Sequence, residues 1–316
     1  MGLVGLLTAA CVAIQPTSTQ PPQTLPPTEM TTADPAQTFN PAPIPPTSTP
    51  TAAATPQRST PFSPAAVPKA VFIVGPTDYL TDGLLASAEA MAVQAELAGM
   101  DVRRVFFPHA TWDTVVAETH GASLVAYLGH GYGWPSNTAR LTESQQDGMG
   151  LNSYDGSGPS EVKYYGATPI RANIHLAPHA VVMLLNGCYT AGNGLWGTPI
   201  PDQDLARQRV DNYASGWLAV GASAVFAFQW GTRFDYAAAF MDTDATVDEL
   251  FMKPRREHVG WNELYFDSQR TPGAVSHLDP DPEDGYLRAV TGDLAMTTAS
   301  WRSGAGQIFP VASASP

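Results

Sequence analysis

"LVAYLGHGYGW" (residues 124–134) drives five mostly apolar residues straight into Gly129-His130-Gly131, with more glycine and a tryptophan behind. A short apolar run bounded by glycine reads as a buried strand whose backbone turns sharply at its exposed end. "AVVMLLNGCYTAGNG" (180–194) follows the same plan, its apolar run ending in Asn186-Gly187-Cys188. Two strands therefore each deliver a reactive group, an imidazole and a sulfur, just past their carboxyl ends.

Around these stretches, apolar β-branched runs alternate with amphipathic ones. "KAVFIVG" (69–75) is a first strand, and "TDGLLASAEAMAVQAELAG" (81–99) a helix, with Leu84, Ala88, Met91 and Ala95 in register, Asp82 as its cap and Gly99 at its end. "DVRRVFF" (101–107) is a second strand, "TWDTVVAETH" (111–120) a short helix and "SLVAYL" (123–128) the third strand. "HAVVMLL" (179–185) is the fourth. "PDQDLARQRVDNYASGWLAVGA" (201–222) is a helix with Ala206, Val210, Tyr213, Trp217 and Val220 along one side, and "SAVFAFQW" (223–230) is the fifth strand. That alternation predicts an α/β fold, a mostly parallel sheet with helices on both faces. Ligands of such sheets bind beyond the carboxyl ends of the strands. If the third and fourth strands are neighbours, His130 and Cys188 share one rim. Residues 231–316 either complete the sheet or form a small appendage.

The chain has two cysteines. Cys11 falls in a segment expected to be cleaved or acylated, which leaves Cys188 without a disulfide partner, either a reactive thiol or an inert buried one. A free thiol titrates near about 8.5, and a neighbouring imidazolium lowers that by several units. Histidine can then protonate a departing amine. Backbone N–H groups at glycine turns suit an oxyanion, and those of Gly131 and Cys188 are the candidates. The chemistry is acyl transfer through a thioester followed by hydrolysis.

A hydrophobic strand ending in His-Gly, followed by a strand ending in a small residue and Cys, resembles the caspase-like cysteine peptidases, the group of caspases, gingipains, clostripain and CHAT-domain proteins. "YLGHG" is similar to their histidine block. "LLNGCYTAG" is similar to the CHAT and gingipain cysteine block, with Gly187 where alanine is usual. "NYASGWLAVGASAVFAFQW" resembles the element that follows the cysteine, and "YLRAVTGDLAM" (286–296) the closing strand of gingipain-like domains, with Leu294 in place of proline. The resemblance covers Lys69 to Trp230 best. It implies a three-layer caspase-like fold over residues 69–300 with a C-terminal tail, 301–316. It also implies a His130–Cys188 dyad, no metal or other cofactor, and a protein or peptide substrate.

Sixteen basic against 29 acidic residues give a net charge of −13, which argues against a nucleic-acid partner. The apolar opening "MGLVGLLTAACVAI" (1–14) is too short to span a bilayer but fits an export signal. "LLTAAC" resembles a lipoprotein cleavage site, which would anchor the protein to a membrane through lipidated Cys11. Fifteen of the 29 prolines lie between Gln15 and Pro68, so 15–68 reads as a disordered, extended stalk. The expectation is an exported protein, extracellular or anchored at the cell envelope.

The 48 residues from Gly131 to Pro178 form a long connection that reads as a lid or substrate wall with Trp134, Tyr164 and Tyr165 as contact surfaces, or as an ordered insertion with aromatic anchors. Asp155 is a candidate partner for a basic substrate side chain. Asn186 either orients the imidazole or caps the cysteine turn. His175 and His179 have a helical metal-ligand spacing that Pro178 interrupts. "HLDPDPEDG" (277–285) reads as a solvated acidic turn rather than a calcium loop. Two other functions compete with a peptidase. A non-catalytic surface module would bind a polymer or protein through the aromatic loop. An α/β-hydrolase would need a Gly-x-Ser-x-Gly elbow, which neither 186–190 nor 221–225 supplies.

Overall fold

The structure, a computed structural model, describes residues 67–136, 141–154, 161–229, 236–253, 263–304 and 309. The expected signal (1–14), Cys11, nearly all of the proline-rich stretch and Asp155 lie outside the described residues. Among the described residues no helix is long and apolar enough to cross a membrane.

The five expected strands form. They are β1 (Lys69–Val74), β2 (Asp101–Phe106), β3 (Leu124–Leu128), β6 (Ala180–Leu185) and β7 (Ala222–Phe228). Within the long connection lie β4 (Met149–Asn152) and β5 (Val162–Tyr165), which pair antiparallel. Residues past 231 complete the sheet with β8 (Leu264–Asp267), β9 (Val275–Asp281) and β10 (Gly285–Gly292). The eight-stranded order is β2-β1-β3-β6-β7-β10-β9-β8, parallel from β2 to β7 and antiparallel from β10 onward.

Alternate residues of each central strand face opposite layers, as strand geometry requires. Phe72, Ala126, Met183 and Phe226 meet α1 (Thr81–Leu97), α5 (Tyr236–Asp242), α6 (Val247–Met252) and α7 (Thr298–Arg302). Ile73, Val125, Leu184 and Val225 meet α2 (Trp112–Thr119), α3 (Ala167–Asn173) and α4 (Gln203–Leu218). Both faces are covered, so these strands read as near-continuous apolar runs.

Four local expectations change. The residue that opens α1 is Leu80, and Asp82 lies inside the first turn, where its charge suits the helix dipole without capping it. In α1, Ala92 is buried where Met91 only packs alongside. Helix α4 is buried on every side from Arg209 to Leu218, because loops close over its polar residues and hydrogen-bond to them. The boundary at residue 300 falls inside α7, whose Trp301 packs on Phe240, and Phe309 is buried beyond it.

Candidate functional site

Strands β3 and β6 are hydrogen-bonded neighbours in parallel register, Leu128 opposite Leu185. His130 and Cys188 thus leave adjacent strand ends on one rim, and Gly129 N–H still donates to Leu185 O at 3.4 Å. The two turns touch. A β-carbon placed on Gly131 would lie 2.1 Å from the Cys188 carbonyl oxygen and 2.8 Å from its nitrogen. Only glycine allows this approach, which also brings the two proposed oxyanion donors together. No acceptor among the described residues takes the Gly131 N–H.

The cysteine turn is conformationally strained. Asn186 (φ 62°) and Tyr189 (φ 69°) both adopt the left-handed region, which costs a non-glycine residue about 1 kcal/mol or more. Asn186 N–H donates to Phe228 O at 2.7 Å, and the Thr190 hydroxyl donates to Gly187 O at 2.8 Å. An alanine at 187 would set its methyl 2.7 Å from Thr190 Cγ2, a local reason for glycine at that position. Asn186 therefore shapes the turn through its backbone.

The histidine turn is held from below. Buried Tyr127 Oη accepts from Gly150 N–H at 2.9 Å and lies 2.9 Å from His130 O and 2.8 Å from Gly150 O. Tyr213 of α4 accepts from Tyr132 N–H and donates to Gly148 O, each at 3.0 Å. Trp134 N–H donates to Asp147 Oδ1 at 2.9 Å, and Trp134 O accepts from Asn212 at 2.9 Å. The half-buried Trp134 is thus fixed by its backbone, whatever its ring contacts. The half-buried Tyr165 stacks on Trp112 at 4.5 Å. Tyr164 leans on Tyr132 at 5.4 Å, and burial pushes its hydroxyl up to about 12.

Two findings correct the sequence reading of Cys188. It is not a free thiol: the structure carries it disulfide-bonded. It is also only 1% exposed, at the margin of the core beneath α4. With no thiolate to hold a proton on the ring, burial takes the half-buried His130 below the ordinary histidine value. The charge of Asp78 opposes that shift.

Asp78 went unnoticed in the sequence because "PTDY" reads as an ordinary turn. It follows β1, the neighbour of β3, in left-handed conformation (φ 50°). Three consecutive strands, β1, β3 and β6, thus bring a carboxylate, an imidazole and a sulfur to one rim.

The remaining candidates fall elsewhere. His175 is exposed beyond the end of α3, while buried His179 sits against Ser223 at 3.3 Å, so the two share no helix. Among the described residues no three His, Cys, Asp or Glu gather to hold a metal ion. Residues 282–284 are the exposed tip of the β9–β10 hairpin, where Asp281 accepts from the Glu283 and Asp284 N–H groups. Asp279 instead is buried and paired with Arg288 at 2.6 Å. No protein-family model matches the chain, and no characterised protein matches it by sequence.

Proposed function

We propose that the protein is a caspase-like cysteine endopeptidase acting through His130 and Cys188. The carrying observation is that these residues follow neighbouring strands β3 and β6, with the Gly131 backbone laid against that of Cys188. The reading applies to the reduced protein. His130 takes the Cys188 thiol proton, and the sulfur attacks a peptide carbonyl. The N–H groups of Gly131 and Cys188 receive the oxyanion. His130 returns the proton to the leaving amine, and water then hydrolyses the thioester. Export, the proline-rich stalk and anchoring through lipidated Cys11 belong to the same proposal and rest on residues 1–68; lipidation occupies the sulfur of the chain's other cysteine and so leaves Cys188 reduced within the chain.

The test is cleavage of a denatured protein mixture under reducing conditions, with new termini identified by mass spectrometry. Cleavage that disappears in Cys188→Ala is the expected result, and cleavage that survives it refutes the mechanism.

A second reading draws on the disulfide and the 1% exposure of Cys188: a non-catalytic surface module that keeps this core as a scaffold. It requires that reduced Cys188 resist alkylation in the folded chain.

A further inference from the structure

Helix α4 carries a cation where a core helix would ordinarily have none. Arg209 is 4% exposed, and burial lowers its proton affinity, against the influence of Asp202 and Tyr189. No carboxylate among the described residues hydrogen-bonds to it. A buried charge is costly unless its donors are satisfied, and here Nε and Nη1 each find a backbone carbonyl. Nε donates to Pro135 O at 2.8 Å, and Nη1 donates to Gly192 O at 2.9 Å. The guanidinium also lies 4.9 Å over the Tyr189 ring.

These partners belong to two different turns. Pro135 lies on the stretch that leaves His130, and Gly192 and Tyr189 lie on the stretch that leaves Cys188. Asn212 and Tyr213, the next residues of α4 to reach this rim, hold the histidine side through Trp134 O and Tyr132 N–H. Among the described residues of α4, Arg209 alone donates to both turns.

We propose that Arg209 is a positioning residue whose guanidinium ties the His130 turn to the Cys188 turn and sets the spacing of imidazole and sulfur. The inference rests on the dyad reading above. A planar fork with divergent N–H groups can serve two carbonyls at fixed separation, which the point charge of lysine cannot do with the same geometry. The role needs no contact with substrate.

The test measures alkylation of Cys188 by iodoacetamide across pH 5–10 in the reduced full-length chain, resolved from Cys11 by peptide mapping. It compares the parent, Arg209→Lys and Arg209→Gln, with folding followed by far-ultraviolet circular dichroism. The parent should react with a midpoint well below that of an ordinary thiol. Both variants should move the midpoint up by about one unit, a loss of roughly tenfold in thiolate at pH values well below both midpoints. A parent-like midpoint in folded variants, with only the melting temperature lowered, overturns the proposal and leaves the dyad intact. An ordinary midpoint in the parent itself defeats the dyad reading, and this inference falls with it. Failure of both variants to fold makes Arg209 a residue of the fold and also overturns the proposal.

Discussion

Gly131 and Cys188 are in backbone contact: a β-carbon on Gly131 would stand 2.1 Å from the Cys188 carbonyl oxygen, and neither atom belongs to a side chain that can swing away. Gly131→Ala must therefore separate the two turns. The expected result is a loss of about 2–4 kcal/mol in denaturant unfolding, in the range of overpacked and strained sites. Alkylation of reduced Cys188 should change with it, because the turns part. Unchanged stability would mean that the turns do not touch.

Tyr127→Phe removes a hydroxyl that serves Gly150 N–H and the carbonyls of His130 and Gly150. The Gly150 N–H keeps only its longer bond to His130 O at 3.3 Å, and losing the buried hydroxyl's bonds should cost about 0.5–1.5 kcal/mol. Urea unfolding should show that loss with no change in the slope against denaturant.

Asp147 should make stability depend on pH in an unusual sense. Burial lifts its carboxyl from 3.8 to about 7, although the Trp134 N–H pulls the other way. The folded chain then holds this proton more tightly than the unfolded chain, so the stability it confers at low pH is lost as pH rises from about 4 to about 7. Asp147→Asn keeps an oxygen for Trp134 N–H and suits the left-handed φ of 62°. The variant should be more stable than the parent by about 1–3 kcal/mol at pH 8, with the gain gone by pH 4. An equal gain at both values would show that ionisation is not its source.

Among the described residues, Asp78 is the carboxylate whose charge opposes the burial effect on His130. Asp78→Asn should lower the titration midpoint of the His130 ring, followed by NMR of its ring protons. A midpoint that stays in place would remove Asp78 from the site.

The centre of the sheet was legible because its strands have both faces covered. "KAVFIV", "LVAYL" and "AVVMLL" are apolar at almost every position, and glycines mark where they end. The outer strands carry no such signal. "VSHLDPD" and "GYLRAVTG" bury polar groups whose partners lie on another element: His277 on Asp248, Asp279 on Arg288, Ser276 on Thr291. Helix α4 misled for a related reason. Arg209, Asp211 and Asn212 look like a solvated face until Pro135, Gln269 and Trp134 supply their partners. At the site, His130 and Cys188 were readable from strand ends, whereas Asp78 needed the β1–β3 pairing to place it. The disulfide at Cys188 ran against the reading of an unpaired thiol.

The most direct measurement is the rate of Cys188 carboxymethylation at pH 6.5 in the reduced, folded chain, compared between the parent and His130→Gln. An imidazole that shares its rim with the sulfur raises the reactive thiolate fraction, so the substitution should slow the reaction about tenfold or more. Equal rates in the two proteins would contradict a working partnership between the residues at the ends of β3 and β6.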